Sequence, residues 1–263
     1  MQVLDTFEKA ALDAGREIMD VFDAGATVRL KDDASPVTEA DERAERIILA
    51  ILGEAFPAIP IVAEESVAAG KVPEIADKTF ILVDPLDGTK EFVNRREDFT
   101  VNIALIVNRA PVAGVVYAPA KGVAYSGSSV GAEKLLIAPD FTISARKTIH
   151  ARPVAEEMVA VASRSHSTPE TEAFLDRQRV SSRTSVGSSL KFCLLAEGIA
   201  DVYPRFGRTM EWDTAAGDAV LRAAGGATLD LEGMPLLYGK IRQAGDSDFA
   251  NPSFIAWGRR QPV

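Results

Sequence analysis

Cysteine is nearly absent from this chain, with Cys193 the only one among 263 residues, so a disulfide framework within the chain is excluded. In the run Leu190-Lys191-Phe192-Cys193-Leu194-Leu195 it reads as a small apolar core residue, since no His or Asn stands near it with an identifiable role. Long apolar runs are missing too, and nothing approaches the ~20 residues a membrane span needs. The opening Met1-Gln2-Val3-Leu4-Asp5 has neither the basic region nor the apolar stretch of a secretory signal. The expectation is a cytoplasmic protein, with peripheral membrane association left open. Cations are in deficit: 29 Lys and Arg face 38 Asp and Glu, a formal charge of -9. That balance argues against polymeric nucleic acid as a partner, because phosphate backbones demand Lys and Arg. An anionic substrate would need local reversal of charge by metal ions or clustered cations.

What is present suits a globular α/β protein: 47% hydrophobic and 25% charged residues. The length allows one large domain or two packed halves, and we expect a single unit over residues 1–263 with a soft boundary near 138–152. Leu4, Phe7, Ala11, Ala14, Ile18 and Val21 recur at helical spacing and predict a helix ending near Gly25. Ala44, Ile47, Ile48, Ile51, Leu52 and Ala55 predict a second, stopping before Pro57. Short β-rich runs follow at 59–63, 80–83, 99–107, 112–118 and 123–126, the later ones suggesting an antiparallel meander. The second half alternates: strand at 159–162, helix at 169–179, strand at 182–186, helix at 188–197, strand at 201–203, helix at 214–224 and a late strand at 253–257.

Three acidic segments stand out: Ala63-Glu64-Glu65-Ser66, Asp84-Pro85-Leu86-Asp87-Gly88-Thr89, and Trp212-Asp213-Thr214-Ala215-Ala216-Gly217. Singly, each has an ordinary reading. Asp-Pro-x-Asp-Gly is good turn chemistry, Glu64-Glu65 can be a solvated pair, and Asp213 or Thr214 can cap a helix. Together they place acids just past strand ends, where open α/β sheets bind ligands. A tight turn at 84–87 can aim two carboxylates and the Leu86 carbonyl at one point, an oxygen-only set suited to Mg²⁺. Close-packed carboxylates repel one another unless cations sit among them. Gly88 and Thr89 follow directly, and backbone N–H groups at a helix start suit a phosphate. In outline this is a two-metal phosphoryl-transfer site.

In order and spacing these segments resemble the signatures of the inositol monophosphatase superfamily, and Ser35-Pro36-Val37-Thr38-Glu39-Ala40-Asp41 is similar to its N-terminal motif. The resemblance spans roughly residues 1–258. It implies a layered α/β/α/β/α sandwich and two or three Mg²⁺ ions. The implied metal ligands are Glu64, Asp84, Asp87, Asp213 and the Leu86 carbonyl. It further implies that Thr89 and Asp41 orient the attacking water, that Glu64 ligates the metal activating it, and that the phosphate rests on the Gly88 and Thr89 N–H groups. Glu65 falls outside this set, as a support to it.

After the acidic turn, Gly88-Thr89-Lys90-Glu91-Phe92 looks like the bisphosphate nucleotidases of the superfamily rather than its inositol phosphatases. Ser163-Arg164-Ser165-His166, Gly187-Ser188-Ser189-Leu190-Lys191-Phe192 and Asp201-Val202-Tyr203-Pro204-Arg205-Phe206 support this. By that resemblance His166, Ser188, Lys191, Arg205 and Asp213 contact a nucleotide bisphosphate. The expected reaction releases the 3'-phosphate of 3'-phosphoadenosine 5'-phosphate, with 3'-phosphoadenylyl sulfate a second substrate, lithium an inhibitor and sulfur metabolism the setting. A substrate with two phosphates does need cations beyond a metal cluster. His166 as a plain loop histidine, Lys191 as a surface lysine and Arg205 as the partner of an acid are the ordinary alternatives. An inositol or sugar monophosphatase, or a non-catalytic phosphate-binding protein, are the rival functions. No Cys or His occupies a position to accept the phosphoryl group, so attack by water is expected. Oligomeric state is not legible.

Overall fold

The computed structural model describes residues 2–30, 36–75, 79–163 and 168–259. Helix α1 (Gln2–Ala24) buries Phe7, Ala10, Ala11, Ala14, Ile18 and Val21, as the apolar spacing predicts. The short strands β1 (Val28–Leu30) and β2 (Pro36–Thr38) pair antiparallel. Helix α2 (Glu39–Ala55) begins at a capping box: the Ala40 N–H donates to the Thr38 hydroxyl, and the Thr38 N–H donates to the Asp41 carboxylate.

A seven-stranded sheet follows in the order β3 (Ile61–Ala63), β4 (Thr79–Asp87), β5 (Thr100–Val107), β6 (Ala110–Ala118), β7 (Val123–Ser128), β8 (Gly131–Ile137) and β9 (Ile143–Ile149). Strands β3 and β4 are parallel, and every later pair is antiparallel. Helix α3 (Glu64–Ala68) leaves the end of β3, and α4 (Thr89–Val93) leaves the end of β4. The second half runs β10 (Met158–Ser163), α5 (Pro169–Arg177), β11 (Val180–Val186), α6 (Leu190–Ala196), β12 (Val202–Arg205), α7 (Ala215–Ala223), β13 (Ala227–Asp230) and β14 (Phe254–Trp257). Its sheet has the order β11-β10-β12-β14-β13.

Alternation along the strands decides the layering. Ile81, Val83, Ile103 and Val115 pack against α1 and α2, whereas Phe80, Leu82, Ala104 and Ile106 face the other way. On that second face they share a core with Phe192 and Cys193 of α6, Ala216 and Val220 of α7, and Phe254 of the second sheet. Helix α5 covers the far side, with Phe174 and Leu175 against Met158, Ala160 and Val202. The result is the expected α/β/α/β/α sandwich. Helix α7 can lie close to the first sheet because Gly114 and Gly127 leave room: a Cβ on Gly127 would stand 2.6 Å from the Val220 Cα. Cys193 is fully buried, as anticipated, and burial pushes its thiol pKa up.

Five strands were not anticipated: β1 and its partner β2, and β8, β9 and β13. Strands β8 and β9 carry Lys and Arg between apolar residues, and β9 is an exposed edge with only Ile149 buried. Strand β13 follows Gly225-Gly226 and is four residues long, and β1 is three exposed residues. The chain passes from the first sheet to the second between Ile149 and Met158.

Candidate active site

Pro85 sits inside β4 and has no N–H to give β5, so the ladder cannot run evenly past it. The register slips there: Asp84 opposes Asn102 while Asp87 opposes Thr100, a bulge with one extra residue on β4. The sequence suggested a turn beyond the strand end; instead the strand continues to Asp87 and the bulge re-aims the acids. The Leu86 N–H donates to Asp84 Oδ1 at 3.0 Å. Gly88 then turns the chain into α4 with a φ of 95°, and a Cβ there would press on the Asp98 carbonyl at 3.1 Å.

The structure brings Glu64, Asp84, Asp87 and Asp213 into one electrostatic cluster. Asp84 is buried and hydrogen-bonded with Glu64. Burial, then the charges of Glu64, Asp87 and Asp213, hold its carboxyl pKa well above the usual range. Asp213 is pushed up to about 8 by burial and by the charges of Asp87 and Glu64. Burial also raises Asp87, opposed by Lys191 and by hydrogen bonds from Ser189 and Asn102. Asp213 does not cap α7: its carboxylate accepts from the Met210 N–H at 2.8 Å, and Thr214 is the cap residue, without a side-chain capping bond. Among the described residues no three His, Cys, Asp or Glu side chains are arranged to hold an ion directly. The set nonetheless fits Mg²⁺ in chemistry: four carboxylates whose mutual repulsion is relieved by cations, with oxygen donors only.

Beside the acids stands a second pair. Asp41 is 2% exposed at the start of α2, its Oδ2 fixed by the Thr38 N–H at 2.8 Å and the Thr38 hydroxyl at 2.7 Å. Its Oδ1 accepts from the Thr89 hydroxyl at 3.1 Å, and the Leu86 carbonyl lies 3.2 Å from that hydroxyl as an alternative acceptor. The capping box thus positions a carboxylate for Thr89, across 48 residues of sequence.

A cavity opens over these groups. It is lined by Glu64, Asp87, Gly88, Thr89, Ser188, Lys191, Arg205 and Asp213, while Asp41, Asp84 and Leu86 are not among its lining residues. Lys191 is not a surface lysine: it is 5% exposed, lies 5.3 Å over the Tyr203 ring and donates to the Ser188 carbonyl. Burial lowers its ammonium pKa to about 8, with Asp87 opposing and Arg205 assisting. Arg205 is also buried, and its guanidinium donates to the carbonyls of Gly207 at 3.1 Å and Arg208 at 2.9 Å rather than to an acid. Ser188 has a φ of 48° and a buried hydroxyl without a hydrogen-bond partner among the described residues. His166 lies outside the described residues.

Four residues escaped the sequence reading. Ser189, Asn102 and Thr100 form a buried hydrogen-bonded chain reaching Asp87, and Arg208 lines the mouth of the cavity. A signal for Asn102 was present, since an amide in the apolar run Val101-Asn102-Ile103-Ala104 of a central strand must be satisfied internally.

Comparison with known proteins shows the family of the chain. A sequence model of the Inositol monophosphatase family matches residues 1–256. The chain belongs to the inositol monophosphatase family. Within that family, the 3'(2'),5'-bisphosphate nucleotidase CysQ of Escherichia coli O157:H7 is 43% identical over 254 residues, which is 96% of this chain and 98% of that protein. The crystal structure of CysQ from Bacteroides thetaiotaomicron superposes with a TM-score of 0.78 at 38% identity, covering 97% of each chain. An IMPase of Thermotoga maritima gives a TM-score of 0.76 at 26% identity, over 98% of this chain and 92% of that one. No described helix is long and apolar enough to cross a membrane.

Proposed function

We propose that this family member is a Mg²⁺-dependent 3'(2'),5'-bisphosphate nucleotidase, hydrolysing the 3'-phosphate of 3'-phosphoadenosine 5'-phosphate to give AMP and phosphate. The observation that carries this reading is one cavity lined both by the acidic cluster and by the cations Lys191 and Arg205. A monophosphate ester needs only the first; a nucleotide bisphosphate needs both. The 43% identity to the E. coli nucleotidase over nearly the whole chain supports the same choice.

Glu64, Asp84, Asp87 and Asp213, with the Leu86 carbonyl, would hold two or three Mg²⁺ ions. When bound, these ions neutralise phosphate charge and lower the pKa of water. The N–H groups of Gly88 and Thr89 cradle the 3'-phosphate at the start of α4. Thr89 donates its hydroxyl proton to Asp41 Oδ1, which leaves its oxygen lone pairs free to accept a proton from the incoming water. As the water oxygen attacks phosphorus, its proton passes to Thr89 and the threonine proton to Asp41. The bond from phosphorus to the 3'-oxygen breaks, and the departing oxygen takes a proton from solvent. Lys191, Arg205, Ser188 and His166 hold the nucleotide and its 5'-phosphate.

Phosphate release with Mg²⁺ from 3'-phosphoadenosine 5'-phosphate, beside inositol 1-phosphate at equal concentration and with an EDTA control, tests this. Strong preference for the nucleotide, abolished by EDTA, is expected. Preference for the inositol ester would keep the acids and overturn the roles of Lys191 and Arg205.

A further inference from the structure

Ser189 and Asn102 make no use of their polarity outside the acidic site. Asn102 is 1% exposed, Ser189 2% and Thr100 0%. Ser189 is the cap residue of α6, where a serine hydroxyl ordinarily accepts from its own helix, yet it makes no side-chain capping bond. Its Oγ lies 2.6 Å from the Asp213 carbonyl, 3.0 Å from Asp87 Oδ2 and 3.0 Å from Asn102 Nδ2. Asn102 Nδ2 also reaches Asp87 Oδ2 at 3.3 Å, and Asn102 Oδ1 accepts from the Thr100 hydroxyl at 3.0 Å.

A proton count over this chain closes. The Asn102 amide has two hydrogens, one for Asp87 Oδ2 and one for Ser189 Oγ. The single Ser189 proton is shared between the Asp213 carbonyl, its shortest contact, and Asp87 Oδ2, and the Thr100 proton goes to Asn102 Oδ1. Every donor is used, and each group has one orientation. The chain spans β5 of the first sheet, the cap of α6 and the turn before α7. It therefore ties Asp87 to Asp213, two acids that are 126 residues apart in sequence and carried by different layers.

We propose that Ser189 and Asn102 are positioning residues for cation binding: they fasten one Asp87 oxygen, leave the other for a metal, and fix the Asp213 turn relative to it. This inference rests on the Mg²⁺ reading given above. The bulge at Pro85 is what brings it about, since the slipped register places Asn102 opposite Asp84 and Thr100 opposite Asp87. Without the pair, Asp87 would rotate among several carboxylate orientations under repulsion from Glu64, and ordering it would weaken binding. Groups that orient metal ligands are typically worth about 10–100-fold in affinity.

The test is calorimetric titration of Mn²⁺ and of Mg²⁺ into substrate-free protein, for the native chain, Ser189→Ala, Asn102→Ala, the double variant and Asp87→Asn, with melting in EDTA as the folding control. Expected are roughly tenfold or greater losses of affinity in each single positioning variant at an unchanged EDTA melting profile. The double variant should be little worse than either single one, because the two residues act on one oxygen. Where Ser189→Ala fails to fold, Thr100→Val gives the reading: it keeps the shape, removes the anchor of Asn102 and should still weaken binding several-fold. Affinities within twofold of the native chain in the folded variants overturn the proposal while leaving the metal site standing. Native-like binding in Asp87→Asn, or no saturable binding by the native chain, overturns the metal reading itself and this proposal with it.

Discussion

Replacing Asp41 with asparagine separates the catalytic use of this residue from its structural one. Asp41 Oδ2 holds the Thr38 N–H and hydroxyl at 2.8 and 2.7 Å, and Oδ1 holds the Thr89 hydroxyl at 3.1 Å. An asparagine of the same shape can keep its carbonyl oxygen toward Thr38, which preserves the capping box. Its amide then faces Thr89 as a donor, and the Thr89 hydroxyl turns to the Leu86 carbonyl, already 3.2 Å away. Folding loses the charged component of one capping interaction and its favourable place at a helix N-terminus, together about 1–2 kcal/mol. For a chain of this size that lowers the melting temperature by roughly 2–8 °C. Catalysis loses the group that receives the proton of the attacking water, a term worth about 10²–10⁴ in rate. Steady-state phosphate release, with a denaturant melt of the same preparation, reads both numbers. Thr89→Val should lose a comparable factor, and the double variant little more than either, because the two residues move one proton. A turnover number for Asp41→Asn within threefold of the native enzyme at saturating Mg²⁺ would refute the assignment.

Three further outcomes are expected. Lys191→Met should raise KM for the bisphosphate by about 10–150-fold, the worth of a charged hydrogen bond, while turnover of a simple monophosphate ester changes little; equal losses on both substrates would make Lys191 a structural residue. Gly127→Ala should destabilise the fold by about 1–3 kcal/mol in a urea titration, because its methyl group meets the α7 backbone at Val220 and not a yielding side-chain tip; native stability would mean that α7 can move away at no cost. The melting temperature in EDTA should fall from pH 5 to 7.5. Asp213 is raised from its unfolded value to about 8, so its contribution is full below the unfolded pKa and drains as pH rises toward the folded one. Lys191, lowered to about 8, shifts stability only above that window, and added Mg²⁺ should raise melting more at pH 7.5 than at pH 5. A melting temperature that rises over this range in EDTA would contradict the electrostatics of the acid cluster.

The layered fold was legible because its largest elements carry unambiguous periods. The buried stripe of α1 and the apolar run at 80–83 leave no choice between helix and strand. Strand β9 was illegible because an edge strand exposes its side chains, so Arg146 and Lys147 broke the alternation that would have revealed it. The acids themselves were readable as motifs, but the way they are held was not. Pro85 looked like the start of a turn, whereas the unbroken pairing on both sides of it makes a bulge. Asp213 looked like a helix cap, and the Met210 N–H claims it instead. Ser189 was hidden beside Ser188, since sequence alone does not say which of two adjacent hydroxyls turns inward. Lys191 was ambiguous for a similar reason: helical spacing does not show that Tyr203 and Arg205 of β12 cover it.

The most direct test of the central claim is identification of the products when the enzyme and Mg²⁺ are incubated with 3'-phosphoadenosine 5'-phosphate, by chromatography of the nucleotide and ³¹P NMR of the phosphate. Stoichiometric AMP with its 5'-phosphate intact, and one inorganic phosphate per nucleotide, is the predicted result. An untouched substrate, or adenosine 3'-phosphate as the product, would contradict it.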